Sequence, residues 1–300
     1  MATQQRSRSR RPSSARHRGP RHVEAVLDPT WQNPYAPSAD EREAHGDAQR
    51  RFALRRQRPQ IALFAVVVVA LLVGIVVTPW LAVLAILIAG LAVWEVRHFL
   101  ASFERRASNL GALMLPEFKV GGTAKDRQRL ITVLDRLTAT FGVDGVSAFV
   151  IDDAGYNAAL APNGPSFSLF VTSALMRDFE LIELEGVVAH CLSRQRLGIL
   201  GRESASALVN ASVESRRLLA GPGLTYRADE VAAAAIRYPL GLSGALRKCA
   251  RQVVPASSFF SSSTYAQWRF IWFDVWSDRV SADLSDLDDV ELRALALEEW

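Results

Sequence analysis

Cysteine and histidine are scarce in this sequence, and their scarcity limits the chemistry that it can support. The 300 residues include two cysteines, Cys191 and Cys249, and five histidines. Two cysteines cannot form the disulfide framework of a small secreted protein, and they agree with a reducing compartment. Four of the histidines lie before residue 100, so the rest of the chain retains only His190. A zinc centre built on several histidines is therefore excluded there.

Charged residues are absent from residues 61–94, a run too long for one comfortable membrane crossing, which needs about 20 apolar residues. The run predicts two short spans, residues 60–77 and 81–100, separated by a turn with a proline and a tryptophan. Arginines flank the pair but not the turn. By the positive-inside rule we expect a multi-pass protein of the cell membrane whose main domain is cytoplasmic. A single span, which would place that domain outside, is the alternative.

The first 59 residues lack the apolar content needed for a core and are rich in arginine and serine, so we expect a disordered tail. Its basic character would suit anionic lipid headgroups. Nucleic acid is not expected as a partner, because aromatic residues are not interleaved with the arginines and no known fold motif is present. The predicted organisation is therefore a tail (1–59), a transmembrane hairpin (60–100) and a main domain (101–300).

The main domain shows a mixture of helix and strand signals. Thr123-Ala124-Lys125-Asp126 resembles a capping box that opens an amphipathic helix ending at Gly142. Residues 147–151 and 166–172 read as strands, and a proline-rich turn precedes the second. Two strands packed beside several helices predict an α+β fold. The aromatic residues between 259 and 276 form either ordinary core or an exposed binding surface.

One helix carries an altered catalytic motif. In an HExxH helix, two histidines one turn apart hold zinc and the glutamate between them acts as general base. Here His190 is followed by Cys191 at the glutamate position, and Arg194 stands where the second histidine would be. Arginine has no lone pair for a metal, and its charge would repel a divalent cation. The motif therefore keeps its first histidine but lacks the general base and the second zinc-binding histidine.

The surroundings of this motif resemble the HtpX-like family of membrane zinc metallopeptidases. The family pattern has an Asn-Ala pair, a strand ending in Val-Thr, a Glu-Leu pair before the motif, and a later E-x-x-A-D pattern whose glutamate is the third zinc ligand. This chain matches with Asn157-Ala158, residues 166–172, Glu183-Leu184 and Ala228-Asp229, but Thr225 replaces the third ligand. The resemblance covers roughly residue 110 to the C-terminus, and it implies a zincin-like domain after a membrane hairpin.

The resemblance implies a membrane-anchored pseudopeptidase that acts by binding a peptide or a membrane protein, with no cofactor expected. The family's substrate cleft would lie beside an edge strand, and we expect Phe167, Leu169 and Val171 to form it. The alternative is an active zinc metalloendopeptidase with a rearranged site that combines His190 with a nearby carboxylate. The candidates for that carboxylate are Glu183, Glu203 and Asp229.

Four further interpretations concern the altered site and the whole chain. Cys191 points about 100° away from His190 on a helix, so a buried apolar thiol is favoured over a ligand or nucleophile. His190 is interpreted as a structural relic. Asp229 is interpreted as a helix-start residue or as a partner of Arg194. A structural membrane protein that organises lipid is a third functional class.

Overall fold

The computed structural model describes residues 39–75, 80–208, 224–275 and 290–299. It begins with two long helices, α1 (Ala39–Ile75) and α2 (Leu81–Ser108), which pack against each other. Both are long and apolar enough to cross a membrane, over residues 57–74 and 83–108, and both windows are almost entirely exposed. The prediction of two apolar helices near the N-terminus is confirmed at this level.

The helix α1 begins earlier than the sequence suggested. Residues 39–59 are helical, so the prediction that the disordered tail extends to residue 59 is wrong for them. Their charged side chains include an i,i+4 pair, Asp47 with Arg51 at 3.6 Å, of the kind that supports an exposed helix. Residues 1–38 of the predicted tail lie outside the described residues.

The main domain joins a three-stranded mixed sheet to several helices, so the α+β prediction is confirmed as a mixture of helix and sheet. The strands are β1 (Val146–Ile151), β2 (Ala158–Asn163) and β3 (Ser166–Thr172). Their order is β1-β3-β2, with β3 parallel to β1 and antiparallel to β2. Two of the strands match the predicted ones. The strand β2 was not predicted, because its Ala-Pro-Asn end is typical of a turn.

The helices of the main domain cover the sheet and each other. They begin with α3 (Leu110–Met114) and α4 (Ala124–Phe141), whose predicted capping box and left-handed Gly142 end are both present. The others are α5 (Ser173–Asp178), α6 (Leu181–Arg196), α7 (Leu200–Leu208), α8 (Leu224–Ile236), α9 (Pro239–Arg251), α10 (Ser263–Trp268) and α11 (Val290–Glu298).

The main core lies between β1, β2 and β3 on one side and α4, α6, α8, α9 and α11 on the other. A second core is aromatic and holds most of the predicted aromatic segment, including Phe260, Tyr265 and Trp272. These rings contact one another edge to face, with Phe260 and Trp272 centroids 5.0 Å apart. The interpretation of this segment as core is therefore confirmed for the residues that the structure describes.

Residues 270–274, which we call the closing segment, run along the outer side of β2. The segment starts within a 3-10 turn (Arg269–Ile271) and then becomes extended. Trp272 bridges to Ala159 in antiparallel fashion, and the Phe273 N–H donates to the Ala158 carbonyl at 2.7 Å. The chain thus covers part of the β2 edge with its own main chain.

Candidate functional site

The altered motif lies on α6, which is buried along most of its length. Gly186 allows α6 to approach α9 closely, since a Cβ there would lie 2.8 Å from the Leu242 Cα. Glu183, in the first turn of α6, accepts a hydrogen bond from Lys248 Nζ at 2.6 Å. Because Glu183 is engaged with Lys248 and lies almost two turns before His190, it is not paired with that histidine.

His190 is the first member of a buried polar chain. Its Nδ1 lies 2.6 Å from Asp229 Oδ1. Arg293 donates to both carboxylate oxygens of Asp229, from Nε at 2.7 Å and from a terminal nitrogen at 2.9 Å. Such two-pronged pairing fixes both groups in orientation. Asp229 lies inside α8 and pairs with His190 and Arg293, so its interpretation as a helix-start residue or a partner of Arg194 is wrong.

Burial and charge set the protonation of this chain. Burial lowers the pKa of His190 below its usual 6.5, and the charges on Arg293 and Arg194 lower it further, against the opposing effect of Asp229. Burial alone would raise the pKa of Asp229, but the charge and hydrogen bonds of Arg293 and His190 outweigh it and hold that pKa at about 2. Asp229 is therefore ionised, and neutral His190 donates its Nδ1 proton to it.

Arg194 is the centre of a second buried group. Its Nε donates to Glu203 Oε2 at 2.7 Å, and a terminal nitrogen contacts the same oxygen. The guanidinium also donates to two carbonyl oxygens of the closing segment, at 2.7 Å to Phe270 and closely to Ile271. The side chain of Arg194 is only 4% exposed. Arg194 therefore satisfies a buried carboxylate and two buried carbonyl groups at once.

Both arginines hold the same segment. Arg293 donates to the Phe273 carbonyl at 3.0 Å, and its guanidinium lies 5.2 Å from the centroid of the Phe273 ring. Asn157 completes the arrangement by pairing with both the N–H and the carbonyl of Asp274, at 2.9 and 2.8 Å. We call Arg194, Arg293 and the carbonyl groups that they bind the arginine clamp. It fastens the closing segment over the altered motif.

Cys191 and Thr225 stand at the positions that the resemblance assigns to the general base and to the third zinc ligand. Cys191 is fully buried in the main core, and burial raises the pKa of its thiol to about 12. It is therefore neither a thiolate nor a proton acceptor at neutral pH, and its interpretation as a buried apolar thiol is confirmed. Thr225 is buried one turn before Asp229 on α8. Its hydroxyl is a poor substitute for the carboxylate that zinc prefers.

The predicted peptide-binding edge strand is misplaced. Phe167, Leu169 and Val171 lie on β3, which is the central strand and pairs on both sides. Its main-chain N–H and C=O groups form hydrogen bonds with β1 and β2, so no added peptide can pair with it. The prediction failed because alternation identifies a strand but not its place in the sheet.

These residues do not fit a zinc ion. Catalytic zinc takes three protein ligands from histidine, cysteine and carboxylate side chains. Here both oxygens of Asp229 are committed to His190 and Arg293, Glu203 is committed to Arg194, and the Cys191 thiol remains protonated. Across residues 39–75, 80–208, 224–275 and 290–299, no three histidine, cysteine or acidic side chains cluster as metal ligands.

The ion pairs of the altered site were not predicted from the sequence. Glu203 was considered only as a candidate zinc ligand, and Arg293 was not considered as an ion-pair partner, yet each neutralises a buried charge from another helix. A weak signal exists for Arg293, which is a lone cation among apolar residues in α11 and is completely buried. Nothing in the local sequence links Glu203 to Arg194, because their contact depends on how α7 folds back on α6.

No protein-family model matches the chain, and no curated protein matches it. The resemblance to the HtpX-like family therefore rests only on the residues named above.

Proposed function

We propose that this chain is a membrane-anchored, non-proteolytic protein with a zincin-like domain, similar to the HtpX-like metallopeptidases, that works by binding a peptide or protein partner. The observation that supports it best is the arginine clamp. Arg194, at the position of a zinc ligand, instead holds Glu203 and the carbonyl groups of Phe270 and Ile271. A guanidinium in that place is structural.

The remaining machinery of hydrolysis is also missing from the altered site. Activation of water requires a metal or a general base within hydrogen-bond reach. Cys191 carries its proton and lies in the core, and His190 has its Nδ1 engaged with Asp229. The closing segment also pairs with β2, and the two arginines hold it beside the motif. The site is thereby filled by the chain itself.

Membrane anchoring rests on the two apolar helices. Their exposed faces carry large apolar side chains such as Leu63, Val66 and Ile86, which are 65%, 66% and 72% exposed. A soluble protein rarely exposes so much apolar surface, whereas a lipid-facing hairpin requires it. From the arginines at one end of the hairpin and the positive-inside rule, we infer a cytoplasmic main domain.

The outer edge of β1 is the place where a partner strand would pair. Val150 accepts a hydrogen bond there from Gly121, and Asp152 donates there to Lys119. Because alternate residues face the same side, Val146 and Ala148 present their main-chain groups at the same edge. Neither group has a main-chain partner on that side within the described residues. The edge thus accepts antiparallel pairing over half its length and is open over the rest.

An immobilised array of unstructured peptides with alternating apolar and polar residues tests this function. We expect saturable, salt-tolerant binding of the purified chain to a subset of peptides, without cleavage. Ala148→Pro should abolish binding with little loss of thermal stability, since it removes an N–H that the sheet does not use. Ser147→Ala, which keeps every main-chain donor, is the matched control and should bind as the wild type does.

Two results would overturn the proposal. One is the absence of saturable binding by the wild-type chain on any peptide. The other is cleavage of the bound peptides, sensitive to a metal chelator. Cleavage would instead support the active-peptidase alternative, which one observation favours: histidines that bind metals commonly donate their other ring N–H to a carboxylate, as His190 does to Asp229.

A further inference from the structure

The register of the hairpin brings two sets of arginines to one height. Arg50 on α1 lies 3.8 Å from Glu104 on α2, between Nε and a carboxylate oxygen. Because α1 and α2 run antiparallel, a step forward along α1 corresponds to a step back along α2. Going from Arg50 to Arg58 therefore corresponds to going from Glu104 to a position beside Arg97, so Arg58 lies within about one turn of Arg97. Arg55 lies one turn further from the membrane window. The arginines that flank the hairpin in sequence therefore meet at the same end in space.

Three of these arginines have no acidic partner in the part of the chain that the structure describes. Arg50 pairs with Glu104 and Arg51 pairs with Asp47. In contrast, Arg55, Arg58 and Arg97 are exposed and form no ion pair there. We call these three residues the arginine belt. Glu95 lies two residues before Arg97, so the arginine belt and this carboxylate together carry a net positive charge at this end of the hairpin.

The arginine belt lies where a bilayer would place its headgroups. The apolar window of α1 starts at Gln57, beside Arg58. Trp80, which is 81% exposed, marks the opposite end of the hairpin. From Trp80 to Arg97 is about 26 Å at 1.5 Å per residue, close to the thickness of the hydrocarbon core, about 30 Å. With the tryptophan at one interface, the belt therefore lies at the other.

We propose that the arginine belt is a binding site for anionic phospholipid headgroups on the side of the membrane that faces the main domain. Guanidinium groups form paired hydrogen bonds with phosphate oxygens, and three of them at one height match a ring of lipid phosphates. No charged residue occurs between residues 61 and 94, so the far end of the hairpin offers no comparable attraction. This inference rests on the membrane insertion proposed above.

The test uses the full-length chain reconstituted in bilayers of phosphatidylcholine with a minor fraction of phosphatidylglycerol. After gentle detergent extraction, mass spectrometry quantifies the lipids that remain bound. We expect the anionic lipid to be enriched at least about fivefold over its bulk fraction, since each arginine at the surface adds about that factor. Enrichment should fall as the salt concentration rises.

Substitution of the belt should remove this selectivity. Arg55→Gln with Arg58→Gln and Arg97→Gln should bring the enrichment close to one, whereas lysine at the same three positions should preserve most of it. The matched control removes three exposed arginines of the main domain, by glutamine at Arg127, Arg227 and Arg251. It should keep the wild-type enrichment at the same change in net charge.

Three results would overturn the inference. They are an unselective wild-type chain, a belt variant that keeps its enrichment, and complete competition by inorganic phosphate, which would show an ion site rather than a headgroup site. Resistance to carbonate extraction is measured in parallel. If the chain stays in the membrane but shows no lipid selectivity, only the lipid site at the arginine belt is contradicted. If carbonate releases the chain, the proposed membrane anchor itself is contradicted.

Discussion

Arg194 shows how the type of residue decides the role of a position on a buried helix. On α6 it follows His190 by one turn, which is the spacing that brings two zinc-binding histidines together. As arginine, the side chain donates to Glu203 and to the carbonyl groups of Phe270 and Ile271. A neutral histidine ring has one lone pair for a metal, whereas arginine can only donate, and the acceptors around Arg194 match that property.

Arg194→Ala should destabilise the main domain by about 3–5 kcal/mol, because it leaves Glu203 as a buried carboxylate without its cation. Chemical denaturation followed by tryptophan fluorescence measures this loss. Arg194→Met combined with Glu203→Leu should recover part of it, because the unpaired charge is then gone.

Arg247→Ala is the control for this experiment, since it breaks the exposed pair with Glu298. An exposed pair contributes little to folding, so we expect almost no change in stability. If Arg194→Ala behaved like Arg247→Ala, the arginine clamp would not hold the closing segment.

His190 should make folding sensitive to mild acid. Its pKa in the folded chain is lowered below 6.5, mainly by burial, so the unfolded chain takes up a proton first as the pH falls. The stability that neutral His190 contributes is complete above pH 6.5 and is lost as the pH falls below that value toward the folded pKa. Thermal unfolding between pH 7.5 and about 5 measures this slope.

His190→Gln is the comparison for the pH measurement, because glutamine can still donate to Asp229 without titrating. The variant should show a flatter profile than the wild type between neutral pH and about 5. Equal slopes for the two proteins would mean that folding does not lower the pKa of His190.

At the scale of elements, α7 connects the long helices α1 and α2 to the altered motif. Its Ala205 packs with Ala53 of α1 and Phe103 of α2, while Glu203 two residues earlier holds Arg194. A short helix therefore contacts the two long helices and the arginine clamp with two of its faces. This placement explains why α7 is nearly completely buried despite its serines and charged residues.

The crossing of α6 and α9 depends on Gly186. A methyl group there would lie 2.8 Å from the main chain of Leu242, too close for either helix to accept without shifting. Gly186→Ala should therefore destabilise the domain by about 1–3 kcal/mol. Differential scanning calorimetry measures the change.

Gly201→Ala on α7 is the matched control for the helix crossing, because nothing lies within 4 Å of its added methyl group. It should be neutral or stabilise by up to about 1 kcal/mol through its higher helix propensity. A neutral Gly186→Ala would mean that the two helices are less closely packed than described.

Elements whose conformation depends mainly on neighbouring residues were predicted from the sequence. The capping box before α4 and the strand at residues 166–172 were predicted from neighbouring residues and are present. In contrast, Arg293 and Asp229 are 64 residues apart, and no local pattern links them. β2 was missed although it forms a hairpin with β3, because its Ala-Pro-Asn end reads as a turn. The central position of β3 was not predicted either, since strand order is a property of the sheet and not of the strand.

For the whole molecule, the altered motif is a structural junction at the centre of the main domain. It brings together α6, α7, α8 and α11, and it fastens the closing segment along β2. Two buried carboxylates, Asp229 and Glu203, are each neutralised by an arginine from a different helix. Removing a member of this network costs much more than removing an exposed pair, so the network favours one arrangement of these helices.

The metal content of the purified full-length chain, measured by inductively coupled plasma mass spectrometry after expression with added zinc, decides whether the altered site holds a metal ion. The arginine clamp predicts far less than one zinc per chain and no change in thermal stability with a chelator. A tightly held zinc close to one per chain, lost on His190→Gln and accompanied by chelator-sensitive unfolding, would contradict it.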